Sequence, residues 1–298
     1  MSGLTGDHML NRRKWLGLVL AGAASAVGTA ITLNLIALFS GYDPLSVIVK
    51  GIIPIGAMAS GAAAASGLFF GARHFQIPAS KGLAFLMIAT AACAQLLTYL
   101  FGFIFLKMLG GAPADLGFVQ YVDALLTHGR EYSTLVPQTD LEEVGGDGYV
   151  YAVFEFVGLV VGGAWAFFAL MGQPSCPACL SYLETLARKR DSFADEASFG
   201  DYYSGEFQHP VGSEAFGRHV SARNAVPFGK SALIKMDTKV VRCPTCGTHS
   251  VDQVVTTRVG RDWVEAAGLS RTVDIPASQS AIAAYAGNGA VPATSEAF

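Results

Sequence analysis

The chain has 298 residues, 52% hydrophobic and only 14% charged, with a mean hydropathy of +0.42 and a formal net charge of −3. A soluble domain averages about 25% charged residues, so this composition argues against an ordinary soluble protein and for a membrane protein. Net negative charge, with no Lys/Arg cluster interleaved with aromatic residues, removes nucleic acid as a default partner.

Four segments reach the roughly 20 apolar residues needed to cross a hydrocarbon core. They are 15–39, 51–72, 83–109 and 150–172. The first follows Arg12-Arg13-Lys14 and resembles a signal sequence in outline. Its apolar run exceeds the roughly 7–15 residues of a signal core, so it is read as an uncleaved anchor. Basic residues resist translocation. They precede the first span and recur as Arg73 and Lys81 between the second and third, whereas the connection 110–149 holds Arg130 against seven acidic residues. The expected orientation therefore places 110–149 outside and both termini in the cytoplasm, in a bacterial-type inner membrane.

Within the spans, Gly67-Leu-Phe-Phe-Gly71 and Gly158-Leu-Val-Val-Gly162 are small-xxx-small patterns, read as close packing within the bundle rather than as a dimer interface. In the outer connection, Leu116, Val119, Val122, Leu125 and Leu126 recur at helical spacing between Asp115 and Gly129. This predicts a short amphipathic helix, followed by an acidic, glycine-rich return over 137–148. Glu155 lies near the start of the fourth span, with Lys50 or Lys107 as candidate partners. Gln95, Thr98 and Tyr99 read as makers of helix–helix hydrogen bonds. Cys93 reads as a small buried apolar residue.

Beyond the fourth span, Pro174 stops the helix and Ser175 can cap a new one over 176–190, with Leu180, Leu183, Leu186 and Ala187 as its apolar face. Residues 191–230 show no firm period except for a short helix near 214–223. Strands are predicted over 232–242 and 250–261, and a loose tail from 268 onward.

Two Cys-x2-Cys turns lie among these elements, Cys176-Pro-Ala-Cys179 at the start of the predicted helix and Cys243-Pro-Thr-Cys246 between the two predicted strands, with 63 residues between them. Each such turn can aim two sulfurs at one ion, and two turns complete a tetrahedral set of four thiolates, the donor set of structural zinc. Proline stiffens each turn, and Gly247 permits the backbone to turn after Cys246. Cys243-Pro-Thr-Cys246-Gly247 resembles the knuckle of zinc-ribbon proteins, with Cys176-Pro-Ala-Cys179 as the distant other half. The resemblance implies Zn2+ held by Cys176, Cys179, Cys243 and Cys246. The 63-residue gap departs from the 12–20 residues usual for compact sites, a tolerable departure because loop-closure cost grows slowly with length. A shared ion would dock the ribbon just beneath the fourth span.

A second reading is redox: a helix beginning at Ser175 would put Cys176 in its first turn, where the dipole lowers a thiol's pKa. Four-helix membrane thiol oxidoreductases of the quinone-linked and vitamin K epoxide reductase types also carry Cys-x2-Cys pairs, although toward the oxidising face. A third reading is a small-solute carrier using Glu155. His249 reads as a surface residue beside the ribbon, and His209 and His219 as exposed loop residues. No phosphate-cradling glycine loop, nucleophile elbow or H-E-x-x-H motif is present.

The sequence thus predicts a mainly α protein: a four-helix transmembrane bundle with a small cytoplasmic α+β zinc-ribbon-like domain. Its divisions are a cytoplasmic amino terminus (1–14), a four-span domain (15–172), the ribbon-like domain (173–267) and a flexible tail (268–298). The expected role is non-enzymatic, that of a membrane-anchored interaction or assembly module whose partners are the lipid bilayer and a cytoplasmic or membrane protein.

Overall fold

A computed structural model describes residues 4–41, 43–47, 53–111, 113, 115–127, 147–210, 213–221, 232–266 and 268–275. The chain divides into two compact units, Met1–Gln173 and Pro174–Phe298. The first is helical: α1 (Leu4–Ser40), α2 (Ile55–His74), α3 (Lys81–Met108), α4 (Phe118–Thr127) and α5 (Asp147–Met171), with a single 3₁₀ turn at Pro44–Ser46. Four stretches, Arg12–Ser40, Ile55–His74, Lys81–Met108 and Gly148–Met171, are long and apolar enough to cross a membrane.

These four helices pack as a rhombus. α2 touches α1, α3 and α5, and α3 touches α1 and α5, so α2 and α3 form the short diagonal. The small residues are consumed inside the unit, as expected. A Cβ on Gly162 would fall on the Met58 carbonyl and 2.8 Å from the Ala62 amide nitrogen, and one on Gly61 would meet the Leu159 backbone. Gly67 in turn abuts Ala21 and Ser25 of α1. Where apolar burial gives little drive, such backbone approach lets dispersion and polar contacts hold helices together. Ser25 Oγ donates to the Ala64 carbonyl (2.6 Å) and accepts from the Gly67 amide (3.1 Å). Asn34 Nδ2 donates to the Thr98 carbonyl (3.0 Å), and Gln95 Nε2 to the Ala152 carbonyl (3.2 Å). Large apolar side chains such as Phe39, Phe85 and Trp165 point outward, a surface suited to lipid.

Cys93 corrects the sequence reading. It lies exposed, because the buried stripe of α3 runs through Leu83, Met87, Ala91, Ala94, Gln95 and Tyr99 and leaves it on the outer face. The amphipathic helix forms as α4, with Phe118 and Tyr121 against Phe103. Most of the acidic return, and Lys50, lie outside the described residues.

The second unit is an antiparallel sheet with two helices. β1 (Glu184–Phe193), β2 (Ile234–Arg242) and β3 (His249–Val259) pair in sequence order. The far edge of β3 is shared by β4 (Asp262–Glu265) along Thr256–Val259 and by β5 (Arg271–Ile275) along His249–Gln253. Gly260, at φ +65°, opens the two-residue β3–β4 hairpin. α6 (Glu196–Phe207) and α7 (Glu214–Ser221) lie in the connection between β1 and β2. Phe193, Phe199, Ile234, Met236 and Val255 form one core cluster, and Ala187, Phe216, Val240, Val251 and Ile275 another.

Three local expectations are overturned. The helix predicted over 176–190 is a turn followed by β1: a helix preference of a few tenths of a kcal/mol per residue yields to full-length pairing with β2. α6 occupies a stretch read as irregular. The tail predicted from 268 contributes β5, whose Ile275 is fully buried; residues 276–298 lie outside the described residues.

The glycine contacts lead to a test. Gly162→Leu should destabilise the detergent-purified protein by about 1–3 kcal/mol through overpacking against α2, read as a lower unfolding temperature. Gly28→Ala, whose Cβ meets nothing within 4 Å, should change it by about 1 kcal/mol or less. Equal effects would refute close α2–α5 packing.

Candidate metal centre

Both cysteine pairs sit on hairpin turns with the same backbone plan. In the first, the Cys176 amide donates to the Ser181 carbonyl (2.9 Å), the Leu180 amide donates to the Cys176 carbonyl (2.8 Å), and Ser175 bridges Tyr182. In the second, the Cys243 amide donates to Thr248 (2.8 Å), the Gly247 amide to Cys243 (3.0 Å), and Arg242 pairs with His249. The residue after each second cysteine is left-handed: Leu180 at φ +56° and Gly247 at φ +74°. Glycine takes that region without strain, whereas leucine holds it at a cost of about 1–2 kcal/mol. The first turn is therefore a knuckle like the second, and the helix dipole invoked for Cys176 is absent.

The register closes the long gap. β1 leaves the first knuckle, β2 enters the second, and Glu184 pairs with Arg242, so the two turns lie at the same end of neighbouring strands. Ser181 Oγ and Thr245 Oγ1, 2.7 Å apart, join the turns directly.

The four sulfurs of Cys176, Cys179, Cys243 and Cys246 all lie within 4.8 Å of one another, and Cys176 Sγ and Cys246 Sγ are 3.8 Å apart. Four sulfurs about 2.3 Å from one ion at tetrahedral angles are themselves about 3.8 Å apart, so the donor set and its spacing fit a tetrahedral metal. All five cysteines are free thiols. Cys176 and Cys243 are buried, while Cys179 is half-buried and Cys246 exposed, so each knuckle contributes one inner and one outer sulfur. All four belong to the second unit, which the site closes upon itself.

Without an ion, the cluster distributes its protons unevenly. The hydroxyl and then the amide of Thr248, whose Oγ1 is 3.2 Å from Cys246 Sγ, pull Cys246 down to about 6. Sharing a hydrogen with Cys246, then partial desolvation, push Cys179 up to about 12. One thiolate thus forms readily, and the next ionisation beside it is resisted.

His249 is not among the clustered ligands. Desolvation and the neighbouring Arg242 charge lower its pKa, and its Nδ1 is buried. His209 and His219, read from sequence as separate exposed residues, are half-buried with ring centroids 5.8 Å apart. His219 Nε2 lies 3.0 Å from the Tyr202 carbonyl, and its ring stacks on Tyr202. In the helical unit, Glu155 is 8% exposed and lies within electrostatic reach of Tyr99; Lys107 is exposed, with Nζ 5.0 Å from the Phe103 ring centroid.

No protein-family model, curated protein or solved structure matches the chain.

Two outcomes follow from the knuckle geometry. Leu180 is 61% exposed, so Leu180→Gly relieves backbone strain without removing a core side chain and should stabilise the metal-loaded protein by up to about 1 kcal/mol. Gly247→Ala should destabilise it by a similar amount; both are read by denaturant unfolding, and the same sign for both would contradict the left-handed assignment. In the metal-free protein, alkylation of Cys246 should rise through pH about 6 as its thiolate forms. Cys179 should stay unreactive well above that pH, and peptide mapping after alkylation distinguishes them.

Proposed function

We propose that the chain is an integral membrane protein of a bacterial-type inner membrane, with both termini in the cytoplasm. On this reading, its sheet unit is held by one structural zinc on Cys176, Cys179, Cys243 and Cys246, and it acts as a membrane-anchored interaction or assembly module rather than an enzyme. The observation that carries the reading is the convergence of four cysteine sulfurs within 4.8 Å. Four protein thiolates fill a tetrahedral ion's coordination and leave no open position for water or substrate, so the role of such an ion is to stabilise the fold. The ligands span Cys176 to Cys246, tying β1 to β2 at the end where the chain enters the sheet.

The proposed sidedness is supported by Arg12, Arg13, Lys14, Arg73 and Lys81 on one side, against the acidic 110–149 connection on the other. Resting metal uptake on thiolates makes it pH-dependent: each proton competes with the ion, so affinity falls as pH falls.

Elemental analysis of detergent-purified protein should give about one zinc per chain. Cys176→Ser and Cys243→Ser should each remove it, and Cys93→Ser should leave it. Metal loss with Cys243→Ser but not with Cys176→Ser would disprove the shared site, and a metal-free protein with a reversible disulfide would favour thiol exchange. A reporter fused to the carboxyl terminus, active only in the cytoplasm, checks the sidedness.

A further inference from the structure

The cysteine cluster gives solvent unequal access to its four sulfurs. Cys176 and Cys243 are 5% and 0% exposed, whereas Cys179 is half-buried and Cys246 exposed, so solvent meets the site at one sulfur of each knuckle. In each turn the buried cysteine is the one whose amide closes the hairpin, and the outer cysteine follows three positions later, beside the left-handed residue. The two outer sulfurs thus come from different knuckles. They are also neighbours: all four sulfurs lie within 4.8 Å of one another, and without an ion Cys179 shares a hydrogen with Cys246. Cys246 has one further polar contact, with the hydroxyl oxygen of Thr248 3.2 Å from its sulfur.

A cysteine that ligates a metal does so as the thiolate, which is also the form an oxidant attacks, and exposure decides which thiolate the oxidant reaches. Here a small hydroperoxide meets Cys246 first. Its thiolate attacks one peroxide oxygen: an S–O bond forms, the O–O bond breaks, and hydroxide leaves and takes a proton from solvent, giving a sulfenic acid. The neighbouring Cys179 thiolate then attacks the Cys246 sulfur: an S–S bond forms, the S–O bond breaks, and a second hydroxide leaves and is protonated. Two thiolates have lost two electrons, and hydrogen peroxide with two protons has become two waters.

Such a product leaves only the buried Cys176 and Cys243 as thiolates, half of a four-sulfur donor set. It does not separate the strands. The disulfide links the same two turns that share the ion, and the β1–β2 pairing and the Ser181–Thr245 contact are made by other residues. Oxidation can therefore be undone by reduction on a retained fold, as a disulfide in a reducing compartment must be if it is to act as a sensor. Thr248 restrains the first step. A hydrogen bond from its hydroxyl to the Cys246 thiolate draws on the sulfur's charge and makes it a poorer nucleophile.

We propose, resting on the zinc reading above, that the site is a reversible peroxide-sensitive switch: oxidation at Cys246 forms a Cys179–Cys246 disulfide and expels the ion, and Thr248 is the positioning residue that restrains it. The test uses the full chain in detergent, carrying Cys93→Ser so that the four clustered thiols are the only ones, loaded with zinc and exposed to hydrogen peroxide. A chromogenic chelator should count about one zinc released per chain. Peptide mapping without reduction should find Cys179 joined to Cys246, and dithiothreitol followed by zinc should restore the loaded protein. Thr248→Val keeps all four ligands and the Cys243 amide bond to the residue 248 carbonyl. It should leave zinc content unchanged but release the ion about threefold faster or more, the order of one hydrogen bond to a charged acceptor, and Thr248→Ser should restore the parent rate. Zinc retained under peroxide, any other cysteine pairing, release that reduction and zinc do not reverse, or an unchanged rate in Thr248→Val would overturn the switch while leaving the structural zinc in place. A protein that binds no zinc at the outset would overturn both.

Discussion

Antiparallel pairing of β1 with β2, beginning at Glu184 and Arg242, is the constraint on which the second unit depends. It makes the strand leaving one cysteine turn a hydrogen-bonded neighbour of the strand entering the other, so sulfurs 70 positions apart, such as those of Cys176 and Cys246, come within 3.8 Å. The same register turns Ala187 and Val240 into one core cluster and Phe193 and Ile234 into the other. A slip of one residue would turn each of those side chains to the opposite face. Core and cysteine cluster therefore specify the same register independently, which is the agreement between levels expected of a sequence with one folded state.

The helical unit is held by a different balance. Its outward faces carry Phe39, Phe85 and Trp165 exposed, and with lipid against such faces apolar burial would give little drive for α2 to pack against α5. Gly61, Gly158 and Gly162 bring the two backbones together, and Ser25, Asn34 and Gln95 add hydrogen bonds across three different helix pairs. Asn34 also lies, with Asp43, Tyr99 and Tyr121, around a cavity between α1, α3 and α4.

The two knuckles show how a local rule can be hidden by composition. Gly247 announces a left-handed position, whereas Leu180 conceals the equivalent one. The sequence around Leu180 has good helix formers at helical spacing, and only the pairing of Ser175 with Tyr182 and of Glu184 with Arg242 reveals a hairpin. The likeness of the two turns is carried by backbone hydrogen bonds rather than by residue identity. α6 and β5 were hidden for a related reason: the aromatic residues of α6 pack on β1 and β2, and β5 has little periodicity of its own beyond its contact with β3.

The sequence alone determined the four long apolar helices, the strands β2 and β3, and the four cysteines as a metal-type donor set, because these depend on local composition and fixed spacing. Tertiary structure decided that residues 184–193 are a strand, that Cys93 faces outward, that His209 meets His219, and that Asp43 shares a cavity with Tyr99 and Tyr121. Each of these outcomes depends on a partner distant in the chain, and neither propensity nor periodicity contains the identity of that partner.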